Sequence, residues 1–514
     1  MCNTPQTQLA SCEAARRRFS SQRLDWRDMK RFLLPLLALV ACAPAAQPLT
    51  AAIPDLASLQ RVSAERLEIP GFVEPHTPEA LNKALFVRYS LPKAGKASAV
   101  IVLMPGFLGG ASNFDRLARN VVSLNPSLEV WAVDRRSNAL EDESVLDAAY
   151  TKRDPMSAWR YHVRDAGRAG GFKPLEPKEL AFIGYWGLEV HLEDLRRVVQ
   201  LARGFGQRVI LGGHSLGAAM VSLYAGWDFD GVAGYKDLDA LLLLDGAAGN
   251  TGGSSITEET YQNGQAGPFG TATAGARALE AGLATPFFSG LGFDPLGLSR
   301  LSAAALLASL DPNGDSPGGI VAYPASNLAA GLVTGDDNYA PVSIFSVSSG
   351  RALNAEVAIN GLAVVFAGLP GLRTLTVTGV AVGSSRVEWQ SPLPSESTEV
   401  TDPLDFATRF FTRQGDFQEW YFPVRLSLDI GASGLESPKW AQNLRVRHVT
   451  GTKLPTLAVI AGRGIVTAPN AFKALEDKTG LVVQKLVLPN YTHLDILAAR
   501  FDTLALTVAE FALR

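Results

Sequence analysis

The chain has 514 residues, of which 47% are hydrophobic and 19% are charged, with a formal net charge of −3 at pH 7. Disordered chains combine low hydrophobicity with high net charge, so this composition excludes a mostly disordered protein. It also lacks the basic field of nucleic-acid-binding proteins, and we expect no nucleic-acid partner. The length is that of about three average domains, or of one α/β domain with a large insertion.

All three cysteines, Cys2, Cys12 and Cys42, lie within the first 42 residues. The rest of the sequence therefore has neither a disulfide framework nor a thiolate metal site. It also shows neither zinc-ligand spacing nor a phosphate-binding glycine loop. We therefore expect no metal and no cofactor.

A basic and apolar segment begins at Met29. Lys30 and Arg31 precede the apolar run 32–40, which is far shorter than the ~20 residues of a membrane-spanning helix and is typical of a signal peptide. The run ends in Leu39-Val40-Ala41-Cys42, which resembles a bacterial lipobox, in which the cysteine is lipidated and becomes the mature N-terminus. An ordinary secretory signal is the alternative. We expect a leader over residues 1–42, a true start at Met29, and a lipid-anchored envelope protein or a secreted one.

Strand and helix patterns alternate over residues 85–249 and 441–514, which we expect to be two parts of one core. Continuous apolar runs are typical of strands buried on both faces, as in parallel sheets. Amphipathic segments over 188–203 and 496–513 predict helices. This alternation predicts an α/β fold with a doubly wound, mostly parallel sheet, preceded by a tether and N-terminal extension over 43–84. The runs that predict strands are 85–91, 99–104, 130–133, 209–211, 241–244, 457–460 and 482–488.

The pattern breaks over residues 250–440, which are rich in Gly, Ser, Thr, Ala and Pro. Helical pieces are expected at 274–283 and 299–310, and the runs 375–382 and 424–430 alternate as strands do. The segment is too long to be a structureless loop in a compact domain. We therefore expect a large cap insertion of mixed helix and strand.

The motif Gly213-His214-Ser215-Leu216-Gly217 lies between a strand pattern and a helix pattern. G-x-S-x-G in this context is typical of a nucleophile elbow. The turn is so tight that side chains at 213 and 217 would clash, which explains both glycines. Ser215 would stand at a helix N-terminus, which stabilises negative charge. We therefore expect Ser215 to be a nucleophile.

A serine nucleophile needs a base, and His493 is the candidate among six histidines. It follows the last strand pattern, and the loop at the C-terminal end of a strand is where an α/β sheet places its site. The chain order Ser, acid, His also fits. His214, inside the elbow, is expected to pack structurally.

A histidine base is usually oriented by an acidic residue, and that residue is less clear here. The loop after the strand pattern 457–460 has no carboxylate before Glu476. Asp245 lies about 30 residues beyond Ser215, which is about one strand–helix–strand unit. It should therefore reach the same sheet edge and hold His493 in the right tautomer. The alternatives are that Asp245 caps the next segment, or that Asp495 or Glu476 is the acid.

Oxyanion donors are expected from two backbone N–H groups. The sequence Met104 to Gly110 follows a strong strand pattern, and Phe107 lies in this turn. The N–H groups of Phe107 and Leu216 would face a developing oxyanion. A plain strand-to-helix turn, which also favours Gly and Pro, is the alternative.

These motifs together resemble the α/β-hydrolase superfamily of serine hydrolases, over residues 85–248 and 441–514. Pro105-Gly106-Phe107 stands where many members have His-Gly-x, and Asp134-Arg135-Arg136 stands where members have a usually structural Asp-x-Arg. The resemblance implies the α/β-hydrolase fold and, most often, hydrolysis of carboxylic esters. An acid after the sixth strand is a known variant of that fold.

The sequence thus predicts an envelope carboxylester hydrolase with a Ser215, His493 and Asp245 triad and a small-molecule ester substrate. Acyl transfer or amide cleavage by the same triad is one alternative. A non-catalytic envelope binding protein on a hydrolase scaffold is another. Phe287-Phe288 and Trp420-Tyr421-Phe422 could line an acyl pocket, although core packing is favoured for both.

Overall fold

An eight-stranded β-sheet organises the part of the chain that the computed structural model describes. The predicted leader, with Met29 and Cys42, lies outside the described residues. Those residues are 52–246, 256–266, 272–290, 292–340, 345–359, 378–382, 385–466 and 469–514.

The sheet is mixed at one edge and parallel elsewhere. The spatial order is β1-β2-β4-β3-β5-β6-β7-β8. Strand β2 runs antiparallel to both β1 and β4, and all other neighbours are parallel. In chain order the strands are β1 (Ser63–Pro70), β2 (Lys83–Ser90), β3 (Ala99–Met104), β4 (Leu128–Asp134), β5 (Val209–His214), β6 (Ala240–Leu244), β7 (Thr456–Arg463) and β8 (Gln484–Thr492).

Helices connect the strands and fill the insertion. They are α1 (Leu56–Gln60), α2 (Asp115–Leu124), α3 (Ser144–Lys152), α4 (Pro155–Trp159), α5 (Leu188–Phe205), α6 (Leu216–Gly226), α7 (Glu258–Asn263), α8 (Ala276–Glu280), α9 (Pro295–Leu310), α10 (Asn327–Leu332), α11 (Pro403–Phe410), α12 (Val424–Ser433), α13 (Lys473–Thr479), α14 (Asp495–Ala498) and α15 (Thr503–Leu513). None of them combines the length and the apolar character that crossing a bilayer requires.

Helices pack on both faces of the sheet. Apolar residues of α5 and α6 form one buried cluster with one face, and those of α2 and α15 form a second cluster with the other. Every residue of β3, β4, β5 and β6 is buried, as expected for parallel strands that are covered on both sides. The predicted fold class, an α/β fold with a doubly wound and mostly parallel sheet, is confirmed.

The sheet begins earlier than the sequence predicts. Strand β1 lies inside the segment 43–84, which is expected to be a tether and extension, and it pairs with β2 over eight residues. It has no buried residue and ends at Pro70, so it is an edge strand without the continuous apolar run that marks the central strands.

The segment between β6 and β7 contains both helices and short strand pairs. Its described parts include helices α7–α12 and antiparallel pairs of two to five residues. The strand-like reading of 424–430 is wrong, because this stretch forms α12. Leu426 and Ile430 are buried one helical turn apart, and Arg425 pairs with Asp429 at 2.8 Å in the same spacing.

The expected single helix over 496–513 is also wrong, because two helices, α14 and α15, replace it. The backbone between them is extended at Ala499, which forms a β-bridge with Thr401 of the insertion. The N–H of Arg500 donates to the carbonyl of Val400 at 2.8 Å. A contact with a distant segment thus interrupts a locally helical pattern.

Candidate active site

Ser215 occupies a strained turn between β5 and α6. Its backbone has φ 57° and ψ −122°, in a region that non-glycine residues rarely adopt. Its N–H donates to the carbonyl of Leu244 at the end of β6, at 3.0 Å. Such strain persists only where the surroundings enforce it, and it is concentrated at functional sites.

The glycines around the elbow are required by space. A Cβ on Gly213 would collide with the carbonyl of Gly217, and a Cβ on Gly217 would collide with that of Met104. A Cβ on Gly106 would lie 2.9 Å from the Cβ of Ser215. Backbone therefore packs against the elbow from both sides, and Ser215 lies half-buried at the C-terminal edge of the sheet.

His493 and Asp245 are in direct contact. The Nδ1 atom of His493, which follows β8, lies 2.6 Å from Oδ2 of Asp245, which follows β6. Both side chains are buried. Asp245 and Ser215 follow neighbouring parallel strands and so lie at the same edge. Among the described residues, Ser215 makes no side-chain hydrogen bond with His493, although such contacts often tighten only when substrate binds.

Three backbone N–H groups, one at the end of β7 and two in the loop after it, hold Asp245. Its carboxylate accepts hydrogen bonds from Ala461 at 3.1 Å, Ile465 at 3.0 Å and Val466 at 3.4 Å. A Cβ on Gly464 would collide with Oδ2 of Asp245. This loop lacks a carboxylate of its own. It instead provides hydrogen-bond donors for the buried carboxylate of Asp245, which follows β6.

The two reserve acids have other partners. Asp495 accepts hydrogen bonds from Ser348, Thr401 and Thr492 at 2.7–2.9 Å, which ties the insertion to the loop before α14. Glu476 binds Lys485 at 2.8 Å. Neither side chain contacts the His493 ring in the described structure.

His214 supports the loop that carries His493. Its Nε2 lies 3.0 Å from the carbonyl oxygen of His493, and the two ring centroids are 4.3 Å apart. Burial, together with the nearby His493, holds the pKa of His214 well below its usual value. The ring is therefore neutral, and its Nε2–H donates to the His493 carbonyl.

The turn after β3 is fixed through its carbonyl groups. The guanidinium of Arg135 donates to the carbonyls of Pro105, Gly106 and Gly109 at 2.5, 2.8 and 3.1 Å. It also pairs with Glu419 of the insertion at 2.5 Å, and both side chains are fully buried. The motif containing Arg135 indicated a structural role, whereas no sequence signal identified Glu419 as its partner.

Two backbone N–H groups near Ser215 are without acceptors. Neither the N–H of Phe107 nor that of Leu216, the first residue of α6, donates to a protein group in the part of the chain that is described. The first N–H groups of a helix have no intrahelical partner. Their placement beside the elbow suits them to receive an oxygen that gains negative charge.

A cavity of about 120 Å³, partly open to solvent, adjoins these residues. Phe107 and Leu494, the neighbour of His493, are among its lining residues. The aromatic residues considered for an acyl pocket are not among the residues that line this cavity. Phe287, Trp420, Tyr421 and Phe422 are in the buried core, and Phe288 packs edge-on against Phe107 at 5.0 Å.

Two acidic clusters have carboxylate oxygens within 4.8 Å of one another in the described chain. In the first cluster, Arg66 pairs with Asp416 at 2.9 Å, and in the second, Arg463 pairs with Asp337 at 2.5 Å. A protein cation thus already neutralises each group in part. The full clusters are Glu141, Glu143 and Asp416, and Asp336, Asp337 and Glu399.

No family model matches the chain, and no curated protein matches it either. Solved structures with a similar fold include a putative lipase from Sulfolobus solfataricus, at 16% identity and a TM-score of 0.44, covering 87% of this chain and 93% of the other. Epoxide hydrolase A from Mycobacterium thermoresistibile is 14% identical, with a TM-score of 0.37 and coverages of 87% and 98%.

A thioesterase domain from the curacin biosynthetic pathway is 11% identical, with a TM-score of 0.37 and coverages of 88% and 99%. These likenesses concern the fold, and none of them bears on the substrate or the mechanism of this chain.

Proposed function

We propose that this protein is a serine hydrolase that cleaves carboxylic esters with Ser215, His493 and Asp245. The observation that carries the proposal is the buried 2.6 Å contact between His493 Nδ1 and Asp245 Oδ2, at the sheet edge where Ser215 occupies its strained elbow. A histidine so oriented has its Nε2 free to accept a proton, which is what activation of a serine hydroxyl requires.

In the proposed reaction, Ser215 Oγ attacks the ester carbonyl carbon while His493 Nε2 takes the hydroxyl proton. The N–H groups of Phe107 and Leu216 stabilise the negative oxygen of the tetrahedral intermediate, each contributing about 3 kcal/mol in the transition state. The carbon–oxygen bond to the alcohol then breaks, and His493 returns the proton to the leaving alcohol. Water attacks the acyl-enzyme in the same way and releases the carboxylic acid and free Ser215.

Labelling with a fluorophosphonate and turnover of a short ester test the triad. We expect the label to map to the peptide that contains Ser215. Ser215→Ala should abolish both label and turnover, and Asp245→Asn should lower kcat by roughly 10⁴-fold. Ser222→Ala, on the same helix α6, is the matched control and should retain both. Full turnover by Ser215→Ala would exclude the mechanism.

A substrate panel separates ester hydrolysis from its alternatives. Amides and alcohol acceptors, assayed beside esters, reveal amide cleavage or acyl transfer by the same acyl-enzyme. A protein that neither reacts with the fluorophosphonate nor turns over any of these compounds would be a binding protein on a hydrolase scaffold.

We also propose that the protein is attached to the cell envelope through a lipid on Cys42. Support comes from the basic residues, apolar run and lipobox-like sequence over 30–42. Incorporation of labelled palmitate in the native host should occur in the wild type and should be lost in Cys42→Ser. Release of an unlabelled protein would indicate secretion instead.

A further inference from the structure

We propose that the cavity beside the elbow binds the acyl chain of the substrate, and that the substrates are esters of unbranched fatty acids of medium to long chain length. This inference rests on the proposed function, since the acyl chain is defined only by attack of Ser215 on its carbonyl carbon. It adds the substrate class and the residues that limit its length.

The cavity meets the candidate site at two residues. Phe107 supplies one of the proposed oxyanion donors, and Leu494 directly follows the proposed base His493. The cavity therefore adjoins the two turns that carry the proposed oxyanion donor and the proposed base. In the proposal, the acyl substituent of a carbonyl group held at Ser215 enters the cavity from this side.

One face of helix α9 forms a wall of the cavity. Leu298, Leu301, Ala305 and Ala308 line it, and their spacing of three, four and three residues places them on one side of the helix. Leu298 to Ala308 spans about 15 Å along the helix axis. Since carbon–carbon bonds of about 1.5 Å zigzag in an extended chain, roughly ten methylene groups would match this length.

The two ends of helix α9 lie at different distances from the candidate site. Phe293, just before α9, has its ring 4.9 Å from that of Phe345, which lies 6.3 Å from the ring of Phe107. The N-terminal end of α9, with its leucines, is therefore nearer the site. The alanines lie toward the far end, where the small side chains leave more room for the tail of an alkyl chain.

The lining favours a neutral, apolar chain. None of the described lining residues carries a charge, and burying an unpaired charge there would be costly. The polar lining residues bind within the protein: Asn113 donates to the carbonyl of Phe417 at 2.6 Å, and Thr334 donates to that of Gly331 at 3.2 Å. Each methylene group buried in such a cavity should raise kcat/KM about fourfold.

Gly335 offers a way to shorten the cavity. It lines the cavity together with Gly331, and a Cβ built on it would meet Phe406 Cε1 and the carbonyl oxygen of Leu332 at 3.9 Å, which is ordinary contact. A leucine at 335 can therefore project into the cavity without displacing backbone. Gly318 is exposed and has no atom within 4 Å of such a Cβ, so Gly318→Leu is a matched control.

The test is kcat/KM of the full chain for p-nitrophenyl esters of straight acids from two to sixteen carbons. We expect the wild type and Gly318→Leu to improve with chain length up to about ten or twelve carbons. Gly335→Leu should lose at least about tenfold on the dodecanoate and stay within about twofold on the butyrate, because two or more buried methylene groups are displaced. Ala305→Leu, on the α9 wall, provides a second variant, and thermal unfolding shows that each variant is folded.

The outcomes separate this inference from the proposed function. If Ser215 is labelled and short esters are hydrolysed, but activity does not rise with chain length, the acyl-chain assignment is wrong and the hydrolase remains. If Gly335→Leu lowers activity equally on all esters, the assignment is also wrong. If no ester is turned over and Ser215 is not labelled, the proposed function fails and this inference fails with it.

Discussion

His214 connects the turn that presents Ser215 with the loop that presents His493. The two histidines belong to elements that are far apart in sequence, yet the hydrogen bond between them is 3.0 Å long. His214 is buried and neutral, so it acts on His493 through position and not through charge. We propose it as a positioning residue for His493, the proposed base.

Replacing His214 tests this assignment. His214→Phe keeps a ring and loses the donor, and since one hydrogen bond contributes about 1 kcal/mol, we expect kcat for a short ester to fall about fivefold with little change in KM. His214→Gln retains an N–H donor and should recover most of the activity. Equal losses in both variants, or a change in KM alone, would argue against positioning of His493.

Among the elements, the turn after β3 depends on an ion pair with the insertion. Arg135 binds three carbonyls of that turn, while Glu419 accepts from Arg135 and from the hydroxyl of Ser137. Burial raises the pKa of Glu419, and the charge of Arg135 opposes that rise. The insertion thus helps to hold the turn whose N–H at Phe107 is the proposed oxyanion donor.

Glu419→Gln should destabilise the protein by about 3–5 kcal/mol, because it leaves the buried guanidinium of Arg135 without its counter-charge. Urea unfolding measures this loss, and slower fluorophosphonate labelling should accompany it as the turn loosens. Glu68→Gln breaks an exposed pair with Lys83 and should change stability little. Similar losses in both variants would contradict the role of the Arg135–Glu419 pair.

Across the whole molecule, burial of neutral histidines makes stability depend on pH. His162 is fully buried among aromatic rings, and neither ring nitrogen has a hydrogen-bond partner in the described structure. Burial lowers its pKa from 6.5 to about 4. The unfolded chain therefore binds more protons than the folded one between these values, and this site destabilises the fold as pH falls through that window.

His162→Phe removes the titrating group while keeping a ring in the aromatic cluster. Carboxyl groups with raised pKa, such as Asp134, respond to pH in the opposite sense, so the variant must be compared with the wild type at each pH. The stability of the variant relative to the wild type should increase by about 3 kcal/mol from pH 7.5 to pH 4. Denaturant unfolding at both values measures the difference, and a constant difference would contradict a neutral buried His162.

The sequence by itself determined the central strands and the elbow. The apolar runs of β3, β5 and β6 reflect burial on both faces, which local composition records directly. The two glycines around Ser215 meet a local steric requirement. The spacing from Ser215 and the place after the last strand favoured Asp245 and His493, which the structure places in contact. Their catalytic roles remain predictions.

Only the tertiary structure decided the remainder, because it depends on contacts between distant segments. Strand β1 is defined by its pairing with β2. The break between α14 and α15 is defined by the β-bridge to Thr401. The donors that hold Asp245 are backbone N–H groups, which every residue but proline carries and which composition cannot single out. The cavity likewise arises where the insertion meets the turn after β3, and the free space between two packed segments has no signature in either sequence.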